Sequence, residues 1–132
     1  MRQLTIRSAN GSPGIRNGNA GTPTLTLQDV SVTDNHRGNG TGGGIVSGSF
    51  GATLILNAGT SISGNTAFSG PGIWKNGDLT LNAGASISGN EASGSGGGIA
   101  SNSGTVVLNA DSNVTGNKVF GGSGSGGTGC SS

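Results

Sequence analysis

Aliphatic residues recur along this chain in a phrase repeated four times, each time set among glycine, serine, threonine and asparagine. The phrase begins with a Gly-Ile pair at Gly14-Ile15, Gly44-Ile45, Gly72-Ile73 and Gly98-Ile99. An alternating triplet follows, Leu25-Thr26-Leu27, Leu54-Ile55-Leu56, Leu79-Thr80-Leu81 and Val106-Val107-Leu108. It closes on an aliphatic residue three places before an asparagine: Val32 to Asn35, Ile62 to Asn65, Ile87 to Asn90 and Val114 to Asn117. Alternation with period two predicts short strands, and no apolar stripe runs at helical spacing. In Ser61-Ile62-Ser63, for example, Ile62 points inward and the serines outward.

The spacing separates rigid from variable parts. Leu56 to Asn65, Leu81 to Asn90 and Leu108 to Asn117 each span nine positions, and Leu27 to Asn35 spans eight. By contrast, Ile45 to Leu54, Ile73 to Leu79 and Ile99 to Val106 span nine, six and seven, through Gly-, Ser- and Asn-rich sequence. Such length variation marks surface loops. Repeats of this period are supersecondary units that bury their apolar faces only by stacking. The expected fold is all-β, a single parallel β-helix of about four full coils, each with three short strands.

Composition changes the picture in one respect. Glycine supplies 30 of 132 residues, hydrophobic residues make up 30% and charged residues 8%. Those values suit a disordered chain, but a disordered chain has no reason to hold aliphatics in register with glycine and asparagine. Residues 1–120 are expected to form the β-helix, starting with a partial coil at Leu4-Thr5-Ile6. The run at 121–132 reads as a flexible Gly/Ser-rich tail.

Stacking at about 4.8 Å per coil sets like over like. Three interior columns result: Ile15, Ile45, Ile73, Ile99; Leu27, Leu56, Leu81, Leu108; and Val32, Ile62, Ile87, Val114. Asn35, Asn65, Asn90 and Asn117 should form an amide ladder at a corner, since each amide both donates and accepts. Asparagine there also tolerates left-handed backbone. Asn57, Asn82 and Asn109 form a second ladder, with Gln28 at that place in the first coil. A buried aliphatic side chain contributes about 1.5–3 kcal/mol. With about three per coil, a lone coil would be unfolded.

On these motifs the chain resembles the right-handed parallel β-helix passengers of bacterial surface and autotransporter proteins, and in particular the repeats of chlamydial polymorphic outer membrane proteins. Gly43-Gly44-Ile45 and Gly97-Gly98-Ile99 match that group's Gly-Gly-aliphatic motif, and Pro71-Gly72-Ile73 and Pro13-Gly14-Ile15 carry proline in its first position. The group's Phe-x-x-Asn motif is met with valine or isoleucine for phenylalanine at Val32, Ile62, Ile87 and Val114. The resemblance implies right-handed coils and a bacterial cell-surface or extracellular location.

Catalytic chemistry finds little support. A glycosidase needs two carboxylates across a cleft, and the five acids, Asp29, Asp34, Asp78, Glu91 and Asp111, do not converge in the coil alignment. Asp34 with His36 and Arg37 reads as a solvated loop. No calcium repeat of the Gly-Gly-x-Gly-x-Asp kind occurs, and one cysteine forms neither an internal disulfide nor a cysteine zinc site. No cofactor or metal is expected. Cys130 is a candidate intermolecular cross-link, and Trp74, beside Lys75, a candidate sugar contact or a lid over Pro71 or Phe68. Net charge is +1 with dispersed basic residues, which argues against nucleic acid.

The function expected from these features is a non-enzymatic extracellular structural or adhesive module. Neither end carries a recognisable cap, and open sheet edges invite further pairing. The chain itself, stacked head to tail as a filament, is the expected partner, with surface glycans or host and neighbouring cell surfaces as others. No signal peptide or membrane span is visible. A carbohydrate-binding or carbohydrate-cleaving domain is the alternative. An ice-binding surface built on the hydroxyl columns Ser31, Ser61, Ser86 and Thr33, Ser63, Ser88, Thr115 comes third.

Overall fold

Alternating aliphatic and polar residues too short for any helix produce short parallel strands that climb one another coil by coil. The computed structural model describes residues 4–18 and 21–120. The tail at 121–132 and Cys130 lie outside the described residues. The strands in chain order are β1 Leu4–Arg7, β2 Ile15–Arg16, β3 Thr24–Leu27, β4 Val30–Thr33, β5 Ile45–Ser47, β6 Thr53–Leu56, β7 Ser61–Ser63 and β8 Thr66–Ser69. They continue as β9 Ile73–Lys75, β10 Asp78–Leu81, β11 Ser86–Ser88, β12 Glu91–Ser95, β13 Ile99–Ser101, β14 Val106–Leu108, β15 Asn113–Thr115 and β16 Lys118–Val119. The result is a β-solenoid of about four turns.

Four parallel sheets form its sides. The Gly-Ile sheet holds β2, β5, β9 and β13, and the leucine sheet β3, β6, β10 and β14. The serine sheet holds β1, β4, β7, β11 and β15, and a fourth sheet β8, β12 and β16. Three strands per coil were expected, so the fourth is a correction. Its longer strands, such as Thr66-Ala67-Phe68-Ser69, turn Ala67 and Ala92 inward, and only the short β16 adds an aliphatic, Val119, in register with them. Two bridges, Asn10 to His36 and His36 to Thr66, carry that side down through the earlier coils.

Register aligns the repeated motifs on one another. Ile15 pairs with Ile45, Ile45 with Ile73, and Ile73 with Ile99. Leu27, Leu56, Leu81 and Leu108 pair in sequence, as do Ile6, Val32, Ile62, Ile87 and Val114. Leu25, Leu54, Leu79 and Val106 form a further inward column. Middle members such as Ile45, Leu56, Ile62, Ile73, Leu81 and Ile87 are fully buried. Column ends are more open: Ile15 and Val114 are half-buried, and Leu108 is 47% exposed. A coil with a neighbour on one side only covers half of each inward side chain.

The corners use two glycine effects. Left-handed backbone falls on the residue before each ladder asparagine, at Asp34, Gly64, Gly89 and Gly116, and likewise on Ser8 before Ala9, with φ of 55–64°. The asparagines themselves are not the left-handed residues, which corrects the expectation for them. The glycine of each Gly-Ile pair serves close approach instead: a Cβ on Gly72 would stand 2.5 Å from the Gly98 carbonyl oxygen.

Candidate functional site

Three polar assemblies are built on this frame. The first is the ladder. Asn65 donates from its backbone N and from Nδ2 to Asn90 Oδ1, at 3.0 and 2.9 Å, and Nδ2 also donates to the Val32 carbonyl at 3.0 Å. Asn35 and Asn90 repeat the pattern onto Asn65 and Asn117. The amide oxygens of Asn65, Asn90 and Asn117 therefore each receive two donors from the coil before, inside a region where unpaired amides are costly. At the early end Ala9 occupies the ladder position, and its backbone N donates to Asn35 Oδ1 at 3.0 Å. The second ladder lies nearer the surface and runs the other way: Asn82 Nδ2 donates to Asn57 Oδ1 and Asn109 Nδ2 to Asn82 Oδ1, both at 2.7 Å. Gln28, at that place in the first coil, is exposed.

The second assembly fills the corner between the Gly-Ile and leucine sheets. Here Asn17, Ser47 and Lys75 occupy inward positions, with Ser101 half-buried after them, and Lys75 is fully buried. Lys75 Nζ donates to Ser101 Oγ at 2.8 Å and to the Ser103 carbonyl at 2.7 Å. Asn76 Nδ2 donates to the Gly48 carbonyl, and Asn102 Nδ2 to Asn76 Oδ1, both at 2.7 Å. Burial lowers the Lys75 pKa, with the charge of Asp78 opposing part of that effect. Asp78 is held below its ordinary value chiefly by the backbone N of Thr105 at 2.9 Å and its hydroxyl at 3.0 Å. Sequence reasoning placed Lys75 in a variable loop among scattered basic residues. The signal available was its fixed place two residues after the Gly-Ile isoleucine, where Asn17, Ser47 and Ser101 also stand.

The third assembly is a groove of about 180 Å³ on the outer face of the fourth sheet. His36, Thr66, Glu91 and Lys118 are successive positions up this sheet. His36 Nδ1 and Thr66 Oγ1 are hydrogen-bonded. Ser93 and Phe120 line the groove beside them, and the walls also include Gly38, Ala67 and Ala92. Phe68 and Phe120 are 47% and 52% exposed. The Phe68 ring lies on Gly94, where a Cβ would stand 2.6 Å from the ring. The cluster read from sequence as Asp34, His36 and Arg37 is divided: His36 joins the groove, Arg37 Nη1 donates to the Thr41 carbonyl at 2.5 Å, and Asp34 sits at the left-handed corner. Burial, then Arg16, lowers the Arg37 pKa.

Trp74 lies in β9, paired with Val46 and Ala100, half-buried on the Gly-Ile sheet and outside the groove lining. The hydroxyl columns run up the serine sheet, Ser31, Ser61, Ser86 ending at Asn113 and Thr33, Ser63, Ser88, Thr115 beginning at Arg7. Among the described residues no three His, Cys, Asp or Glu side chains gather as a metal site, and no helix is long and apolar enough to cross a membrane. No family model, curated protein or solved structure matches the chain. Its architecture is that of a four-sided parallel β-solenoid, ordered by an internal amide ladder.

Proposed function

We propose that the chain is a non-enzymatic structural and adhesive module acting outside the cell, in the manner of bacterial surface passengers, and that its last coil is made to be stacked upon. The direction of the ladder carries this reading. Asn35, Asn65 and Asn90 each hand their backbone N–H and one Nδ2–H to the coil that follows. In the same geometry Asn117, itself 5% exposed, would offer the same two donors to a coil stacked on it. The same coil leaves the inward Leu108 47% exposed. A further coil with an asparagine in register would satisfy both features.

Stacking of one copy on another is the simplest form of such assembly, and its joint would be incomplete. β1 and Asn10 of the second copy would cover β15 and β16, leaving β13 and β14 without strands. Ala9 would then stand over Asn117 without an amide oxygen. Self-association should accordingly be concentration-dependent rather than tight. Electron microscopy of the purified chain across a concentration series tests the proposal. Short rods lengthening end to end at high concentration support it; single particles of one size at every concentration overturn end-on stacking.

A further inference from the structure

We infer that the groove on the fourth sheet binds a saccharide through one sugar ring. The inference rests on the adhesive part of the reading above and supplies its ligand class.

Size narrows the occupant first. At about 180 Å³ the groove is smaller than the roughly 300 Å³ at which drug-sized pockets begin. One ring fits inside, and any remainder of the ligand lies along the open sheet. Chemistry narrows it further. The groove presents the Thr66 and Ser93 hydroxyls, the Glu91 carboxylate and the His36 imidazole, a mixture of donors and acceptors close together. Thr66 holds the imidazole through Nδ1 and leaves Nε2 for a ligand. With them the exposed Phe120 ring lines the groove. A pyranose has the matching combination, with a rim of hydroxyls and faces of C–H groups that stack on an aromatic ring.

Other occupants fit less well. A purely apolar ligand would desolvate Glu91 and His36 without replacing their hydrogen bonds. A simple anion would face Glu91, and a simple cation would face Lys118, which pairs with Glu91 in register. A strand-like peptide needs a free sheet edge, whereas the groove lies on a sheet face. Phe68, on β8, is a second exposed ring on the same sheet, two coils from Phe120. That arrangement suits a chain of sugars running along the solenoid axis.

The test is a glycan microarray carrying neutral, N-acetylated and acidic saccharides, probed with the full chain, followed by titration of the best-bound saccharide. Phe120→Ala should weaken binding at least tenfold and Glu91→Gln severalfold. Ser93→Arg, which fills the groove from an exposed position, should abolish it. Phe50→Ala removes a more exposed aromatic outside the groove and should leave binding unchanged. Thermal melts matching the wild type establish that each variant is folded. Absence of saccharide binding at millimolar concentration overturns the inference, as does binding lost with Trp74→Ala but retained in Phe120→Ala and Ser93→Arg. The groove reaches the last described coil at Phe120 but lies on the face of the fourth sheet, whereas stacking uses the sheet edges; end-on assembly without saccharide binding would therefore overturn this inference alone, and binding without assembly would overturn only stacking.

Discussion

Asn90 Nδ2 donates both to the Asn117 Oδ1 of the coil ahead, at 2.9 Å, and to the Ile62 carbonyl of the coil behind, at 3.0 Å. One amide thus ties three coils together without exposure to solvent. The repeating asparagine contributes more than the turn preference for which the residue is usually noted, because its removal leaves groups of the coil behind unpaired and takes one of two donors from Asn117 Oδ1 ahead.

Asn90→Ala should therefore cost more than an ordinary surface-corner change. The Asn65 backbone N and Nδ2 would lose their shared acceptor and the Ile62 carbonyl would lose a donor. Each buried group left unsatisfied costs about 1–3 kcal/mol, so a total loss of about 3 kcal/mol or more is expected in urea unfolding. Asn82→Ala, in the outer ladder where water can substitute, should cost about 1 kcal/mol. Equal losses at the two sites would contradict the assignment.

Two glycines should respond to alanine for different reasons. In Gly72→Ala the new Cβ would meet the Gly98 oxygen at 2.5 Å and Ile87 Cγ2 at 3.0 Å, a collision within a packed interior worth about 1–3 kcal/mol. Gly89 has φ of 62° and no atom within 4 Å of a Cβ, so Gly89→Ala should cost only the left-handed backbone, about 1–2 kcal/mol. Gly89→Asn should recover part of the second loss, whereas Gly72→Asn should recover none of the first. The four melting temperatures decide the matter.

Lys75 gives stability a pH dependence with a definite sign. Burial places its folded-state pKa below the ordinary lysine value of about 10.4. Between the two values the unfolded chain binds the extra proton, so this contribution is greatest above the ordinary value and is lost as pH falls toward the folded one. Unfolding free energy attributable to Lys75 should rise with pH on the alkaline side. Lys75→Met should flatten that slope while leaving the fold intact. A wild-type and variant pair with identical pH profiles would show that the amine carries no such linkage.

Ala9→Asn should strengthen end-on association. It supplies the Oδ1 that Asn117 lacks across a joint between copies. Two neutral hydrogen bonds at about 1 kcal/mol each lower the concentration for assembly by about tenfold or more. Light scattering across a dilution series measures this directly. A variant that assembles no more readily than the wild type would indicate that the two ladder ends do not meet.

Much of the fold was legible in sequence because one coil lies on the next with little offset. A residue's neighbours across the sheet are then its counterparts one repeat away, and Leu56 over Leu81 or Asn65 over Asn90 follows from subtraction. The fourth sheet was not legible, since the inward residues of its two longer strands, Ala67 and Ala92, are too small to stand out from the glycine-rich loops around them, and Val119 beyond them is a single aliphatic in a two-residue strand. The same blind spot concealed the groove: His36, Glu91 and Phe120 lie far apart in the chain and come together only on that unforeseen face.

The sequence by itself determined the coil, its interior columns and the residues that stack as ladders, because each depends on a local pattern repeated at fixed spacing. Tertiary structure decided which residue at each corner takes the left-handed backbone, that Lys75 is enclosed while Trp74 lies half-buried on the outer face, and which polar side chains share a surface. Those outcomes depend on loop paths whose lengths vary from coil to coil, and on the space left between neighbouring coils, neither of which a repeating pattern records.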